Sequence, residues 1–176
     1  MTTTTKGLIM VYTGDGKGKT TAALGLTLRA VGHGHKVCII QFMKGDPSYG
    51  ELQAIAKYLP MVRIEPTGTS DFVDRDNPSP IDLSEAQRGF DMAVAALDGS
   101  YDLVILDEVN VAMDFGLISI EALIALLKKK PPQVHVVCTG RGVPESLREM
   151  ADLISEVKDI KHHYYQGVQA QAGIEH

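Results

Sequence analysis

Cysteine is scarce in this chain: two of 176 residues, Cys38 and Cys138. Each lies in an apolar, strand-like run, and a pair so far apart in sequence suits neither a CxxC redox site nor a zinc cluster. Both read as buried thiols of a reducing cytoplasm. Long hydrophobic runs are missing too; no apolar stretch approaches the roughly 20 residues that cross a bilayer. The start, Met1–Lys6, is polar and has no apolar segment of the kind a secretory signal carries. Positive charge is in deficit. A net charge of −5 and a pI near 5.6 argue against broad binding to nucleic-acid backbones. No internal repeat or low-complexity tract is evident. What remains is a protein of ordinary proportions, 44% hydrophobic and 22% charged. It is expected to be cytoplasmic, away from membranes, and to form one domain over residues 1–176 with a substantial core.

What the chain does have is the stretch TGDGKGKTT, residues 13–21, directly after the apolar run Leu8–Tyr12. A strand that empties into glycines and then Lys-Thr at a helix start is built to hold phosphates. The glycines let backbone N–H groups turn inward, the helix N-terminus adds partial positive charge, and Lys19 supplies a full one. Thr20 then offers its hydroxyl to a magnesium ion on the same phosphates. The common P-loop pattern, G-x-x-x-x-G-K-[ST], wants glycine at position 13. Here Thr13 stands there and the first glycine is Gly14, while a second cation, Lys17, sits inside the loop. The competing reading is a glycine-rich turn that binds nothing.

Apolar runs recur along the chain with helical stretches between them: Leu8–Tyr12, Val37–Phe42, Leu103–Leu106 and Val134–Cys138. Short runs rich in Val and Ile suit strands buried on both faces of a parallel sheet. Met61–Ile64 and Ile160–His163 are weaker candidates for two more strands. Between them, Leu24, Leu28 and Val31 fall on one face of a helix over Thr20–Val31. Phe90, Ala93, Val94 and Leu97 do the same in Asp82–Leu97, where Ser84 with Gln87 resembles a capping box. Ile120, Leu123, Ile124 and Leu127 form a third stripe, and Pro144 fits the first turn of a helix running to about Ala151. The pattern predicts an α/β fold of the P-loop, RecA-like kind: a mostly parallel sheet of about six strands with helices on both faces. Two segments escape it, Thr67–Pro80, with the single aromatic Phe72, and the tail Tyr164–His176.

Leu103–Glu108 is an apolar strand ending in two carboxylates, Asp107 and Glu108. In a parallel sheet the carboxyl ends of the strands line the ligand crevice, so both acids are expected beside the glycine loop, orienting a metal ion together with Thr20. Arg141, in TGRG after the strand Val134–Cys138, is expected at the same edge, either neutralising a polyphosphate or solvated in a surface turn. Lys44, Gly45 and Glu51 occupy an equivalent position after Gln41–Phe42. His162 and His163 are adjacent, so in a strand they would point to opposite faces and could not share a metal.

Taken in order, TGDGKGKTTAA (13–23), RAVGHG (29–34), QFMKG (41–45), LDE (106–108), TGRG (139–142), ADLISEV (151–157) and GVQAQAGIE (167–175) resemble the P-loop class of ATP:cob(I)alamin (corrinoid) adenosyltransferases. The shortened glycine loop is itself a mark of that class. The resemblance implies transfer of the 5′-deoxyadenosyl group of ATP to a reduced corrinoid, release of intact triphosphate, Mg²⁺ or Mn²⁺ as cofactor, a flavoprotein electron donor and a homodimer. It implies that Gly14, Asp15, Gly16, Lys17, Gly18, Lys19, Thr20 and Thr21 hold the phosphates, with Asp15 and Gly16 near the ribose. Lys19 and Glu108 would be catalytic, Thr20, Asp107 and Glu108 would hold the metal, and Arg141 would assist with the phosphates. Relatives often carry an aromatic pair after a Thr-Gly, packed on the corrin. Here Thr67-Gly68 is followed by non-aromatic residues until Phe72, so Gly68 and Phe72 are the corrin-side candidates. Better-known members have a longer N-terminal extension over the site, so another element is expected to cover it here. The alternative reading is an ordinary P-loop small-molecule kinase or ATPase; a corrinoid-delivering module without catalysis is a third.

Overall fold

In the computed structural model the described residues are 6–175; the polar start Met1–Thr5 and His176 lie outside them. Each apolar run becomes a strand and each stretch of helical period a helix. The order is β1 (Ile9–Thr13), α1 (Lys19–Gly32), β2 (Val37–Phe42), α2 (Gly50–Tyr58), β3 (Val62–Thr67), α3 (Pro80–Ala96) and β4 (Leu103–Asp107). Then follow α4 (Val109–Asp114), α5 (Ile120–Lys129), β5 (His135–Thr139), α6 (Glu145–Met150), β6 (Leu153–Glu156) and a 3₁₀ turn, His163–Gln166. The described strands form one sheet in the order β3-β2-β4-β5-β1-β6, with every pairing parallel.

The central strands read as unbroken apolar runs because both faces are covered. Alternate side chains sort between two core layers. Val11, Cys38, Ile40, Val104, Leu106, Val136 and Cys138 meet α3, α4 and α5 on one face. Met10, Val37, Ile39, Ile105 and Val137 meet α1 and α2 on the other. Burial pushes the thiols up, Cys38 to about 11 and Cys138 to about 12, so both stay protonated.

Four expectations need correction. The sixth strand is Leu153–Glu156, paired with β1 from Met10↔Leu153 to Thr13↔Glu156, while Ile160–His163 is not a strand. As an exposed edge, β6 has no apolar run to announce it; backbone pairing with β1 makes it a strand. The box that starts α3 is formed by Ser79 and Asp82, with Pro80 in its first turn. Ser84 lies inside the helix and donates to the Ile81 carbonyl. In α1 the buried stripe is Lys19, Ala23, Thr27 and Ala30, with Leu28 turned to solvent; small residues let the helix lie close on the sheet. Val94 of α3 is exposed for the same reason, Ala86, Gly89, Ala93 and Ala96 facing inward. Finally, α2 and α4 were not anticipated; each is short and carries too few turns to show a period.

The carboxyl ends of β1, β2, β4 and β5 all open on one edge, which gathers Thr13, Phe42, Asp107 and Thr139 there. β6 brings its exit against the same place. The Gly16 N–H donates to the Val157 carbonyl at 2.8 Å. A Cβ on Gly14, whose φ is +96°, would lie 2.4 Å from that oxygen, and one on Gly16 would lie 2.6 Å from Lys158. Glycine is needed at both positions for that approach.

Candidate active site

The loop 14–18 links β1 to α1, and Lys19 opens the helix with its side chain folded back. Its ammonium donates to the carbonyls of Gly14 at 2.7 Å and Gly16 at 2.8 Å. Burial pulls its pKa down from the ordinary lysine value, against the pull of Glu108. A polyanion in the loop would relieve that desolvation.

Thr20, one residue on, donates its hydroxyl proton to Asp107 Oδ1 at 2.9 Å. Asp107 ends β4, is almost fully buried, and receives more than this. The Thr139 hydroxyl donates to the same oxygen at 2.7 Å, while Lys44 Nζ and Gln41 Nε2 donate to Oδ2 at 2.7 and 3.3 Å. With both oxygens committed, the carboxylate acts as an anchor that aligns its neighbours. Burial is the largest influence on Lys44 and draws its pKa down, but the charge and hydrogen bond of Asp107, with the charges of Glu108 and Glu51, together outweigh it and the net shift is upward.

Glu108 follows in the left-handed region, φ 60°, a conformation costing a non-glycine residue on the order of 1 kcal/mol. Its N–H donates to Thr139 Oγ1 at 2.9 Å, which holds the turn. Burial, and then Asp107, pushes the Glu108 carboxyl above its ordinary pKa, while Lys44, Lys19 and Arg141 oppose the rise. Strain at an acid whose charge acts on Lys19 is the kind that functional sites retain.

Lys17, Lys19, Thr20, Lys44, Glu108 and Glu175 border a cavity of about 500 Å³ that Thr21 also lines. Arg141 lies on the other flank, donating from Nη2 to the Asp15 carbonyl at 3.0 Å with Nε 3.8 Å from the Asp15 carboxylate. So Arg141 does reach the crevice and clasps the loop. The tail supplies a wall of the cavity: Glu175 lies 3.7 Å from Lys17 Nζ and 2.9 Å from His163 Nε2. The expectation that His162 and His163 point apart fails, because they stand in a turn with ring centroids 4.6 Å apart. Their ligand atoms and that of Glu175 lie within 4.8 Å of one another. His162 Nδ1, however, accepts the Tyr164 N–H at 3.2 Å, which places the neutral ring's proton on Nε2.

The sequence pattern of the family described as ATP:corrinoid adenosyltransferase BtuR/CobO/CobP matches residues 5–176. The chain belongs to this family. A corrinoid adenosyltransferase of Escherichia coli K12 is 38% identical over 97% of this chain and 86% of its own length. Corrinoid adenosyltransferase CobA of Salmonella typhimurium is 36% identical over the same shares. An uncharacterised Nostoc protein is 39% identical over 89% of this chain, which spans 45% of that protein. Among solved structures, the flagellar accessory protein FlaH of Methanocaldococcus jannaschii superposes with a TM-score of 0.58 at 15% identity, covering 86% of this chain and 71% of that one. That likeness concerns the fold: an α/β, RecA-like P-loop sheet.

The connection from β3 to α3 reaches the same crevice through Arg75. Phe72 is fully exposed, its ring free of the core. Gly68 packs on the backbone after β2; a Cβ there would lie 2.6 Å from the Lys44 nitrogen. The loop is pinned by Arg75, which donates to Asp114 at 3.0 Å and places its guanidinium 5.7 Å above the Phe115 ring. Arg75 and Phe115 border a second cavity, about 440 Å³, that shares Lys19, Glu108 and Arg141 with the site. Reading along the chain missed Gln41, Arg75, Phe115 and Thr139 as site residues. The signal for Thr139 was present: a hydroxyl at the end of an apolar strand, just before a glycine.

Proposed function

We propose that this chain transfers the 5′-deoxyadenosyl group of ATP to the Co(I) of a reduced corrinoid. A bond forms between cobalt and C5′, the C5′–O5′ bond breaks, and triphosphate leaves with the electron pair as cobalt passes to Co(III). The observation that carries the reading is the convergence of Lys19, Thr20, Asp107 and Glu108 at the glycine loop of a chain from this family.

Co(I) is itself the nucleophile, so no side chain removes a proton. The work of the protein is to hold cobalt and C5′ in line and to stabilise charge growing on the departing oxygen. The loop N–H groups of residues 14–21 and the Lys19 ammonium bind the triphosphate, and Arg141 adds a second fixed cation. The donor set suits Mg²⁺ or Mn²⁺: Thr20 and Glu108 offer hard hydroxyl and carboxylate oxygens. Asp107 orients Thr20, and buried Gln41 Oε1, without a hydrogen-bond partner among the described residues, would be free to accept from a donor that arrives with the bound group. When bound, the ion adds charge neutralisation to the leaving triphosphate. Phe72 and Gly68 belong to the loop facing the corrin, Asp15 and Gly16 lie toward the ribose, and Glu175 borders the loop beside Lys17. The reading also includes a homodimer in the cytoplasm, fed by a reduced flavoprotein.

Incubation with ATP, Mg²⁺ and chemically reduced cobalamin should yield light-sensitive adenosylcobalamin and one intact triphosphate per turnover. Formation of ADP in its place would overturn the assignment in favour of phosphoryl transfer.

A further inference from the structure

Lys44 stands two residues after the end of β2, and nothing in the reaction above uses it. Its side chain is only 18% exposed, with the ammonium 2.7 Å from Asp107 Oδ2 and 3.4 Å from Thr20 Oγ1. Thr20 donates its own proton to Asp107, so the side of the hydroxyl that meets Lys44 is the lone-pair side. That is also the side a divalent ion held by Thr20 would need. Ammonium and metal ion therefore compete for one oxygen, and their charges repel at such range.

The backbone around Lys44 is built to keep it there. Met43, just before it, has φ 58°; it and Glu108 are the two non-glycine residues with positive φ among the described residues, and both flank this site. The Gly68 backbone closes over Met43 and Lys44 at a distance that admits no Cβ. The Met43 N–H is held by the Thr67 carbonyl at 2.9 Å. With Lys19 and Lys44 both in place, the charges of Asp107 and Glu108 are balanced without a metal.

We propose that Lys44 is a tethered cation that holds the metal position while no nucleotide is bound. It keeps Thr20 and Asp107 aligned, discourages free divalent ions from settling in the site, and yields to the ion that arrives with ATP. Its ammonium then turns into the cavity it already lines, toward the phosphates. Lys44 is thus a positioning residue for the metal–nucleotide pair. The inference rests on the reading of Thr20 and Glu108 as the metal-holding pair.

The test is titration of Mn²⁺ into nucleotide-free protein, with free ion read by its paramagnetic resonance signal. Wild type should bind weakly. Lys44→Met and Lys44→Gln, each lacking the charge, should bind about ten-fold or more tightly, and Lys44→Arg should stay weak. Adding Glu108→Gln to Lys44→Met should abolish the gain, which locates the ion. In a second measurement, ATP binding in the presence of chelator should weaken about ten-fold in the uncharged variants, because the built-in cation is gone. Unchanged Mn²⁺ affinity in whichever uncharged variant melts cooperatively overturns the proposal. So does a gain that survives Glu108→Gln. The readouts need no corrinoid, so failure to form adenosylcobalamin would sink the functional reading and leave these outcomes to be judged separately.

Discussion

At Asp107 donors from α1, β2, the segment after β2, and β5 meet on two carboxylate oxygens. A carboxyl group this buried is accommodated because each of its oxygens receives two donors. Lys19 stands differently: its donors rest on loop carbonyls that a phosphate can replace. Lys19→Ala is therefore expected to lower turnover by about 10³-fold or more, since it removes charge from the leaving triphosphate. Far-UV circular dichroism should be unchanged, because the side chain packs on its own loop. Activity near wild type would remove Lys19 from the mechanism. That Lys19, Thr20, Asp107 and Glu108 would meet at the glycine loop was legible along the chain, since each belongs to a short contiguous pattern at a strand end or helix start. Thr139 and Gln41 were not. A Thr in an apolar strand reads as a strand former until the neighbouring strand is known to end in an acid.

Among the elements, β6 shows where pattern reading fails. Its residues Leu153–Glu156 are exposed, so no alternation was imposed on them, and a nearby apolar residue, Ile160, drew attention to the wrong segment. Its entry is held by Asp152, which accepts the Ile9 N–H at 2.9 Å and pairs with Lys6. The hydrogen bond from Lys6, and then that from Ile9, holds the Asp152 carboxyl below its ordinary pKa of 3.8. A carboxyl whose folded pKa lies below its unfolded one stabilises the fold above the unfolded value and ceases to as pH falls through the folded one. Asp152→Asn should therefore melt below wild type at pH 7, with the gap closing as pH drops through and below 3.8. A gap that is constant with pH would mean the charge is irrelevant. In the β3–α3 loop, Phe72 is an exposed ring with no packing role. Phe72→Ala should leave the melting temperature unaltered and slow adenosylation of corrinoids with a bound lower ligand more than of those without. Equal slowing would discard Phe72 as a wedge against that ligand.

Across the whole molecule the two core layers share one sheet, and the helices of each layer pack on the same central strands. Neither layer can lose its partners without exposing the other's strands, so the described residues should unfold together. Urea titration followed by far-UV circular dichroism and by tyrosine fluorescence should give one coincident transition. Separate midpoints would divide the chain into two units. The gathering of the site is also a property of this scale. Loop 14–18, β2, β4 and β5 contribute to one crevice because parallel strands end at the same edge.

The amino-acid order was enough for the glycine loop between the first strand and helix and for a helix-covered parallel sheet. Both follow from local causes: glycines and a lysine at a strand-to-helix turn, and Val- and Ile-rich runs that cannot face water on either side. The strand order β3-β2-β4-β5-β1-β6, the strand at Leu153, the paired histidines and the bridge from Lys44 to Asp107 emerged only on folding. Each depends on which distant segments become neighbours, and that is settled by the packing of two layers on a twisted sheet, which no single window of the chain contains.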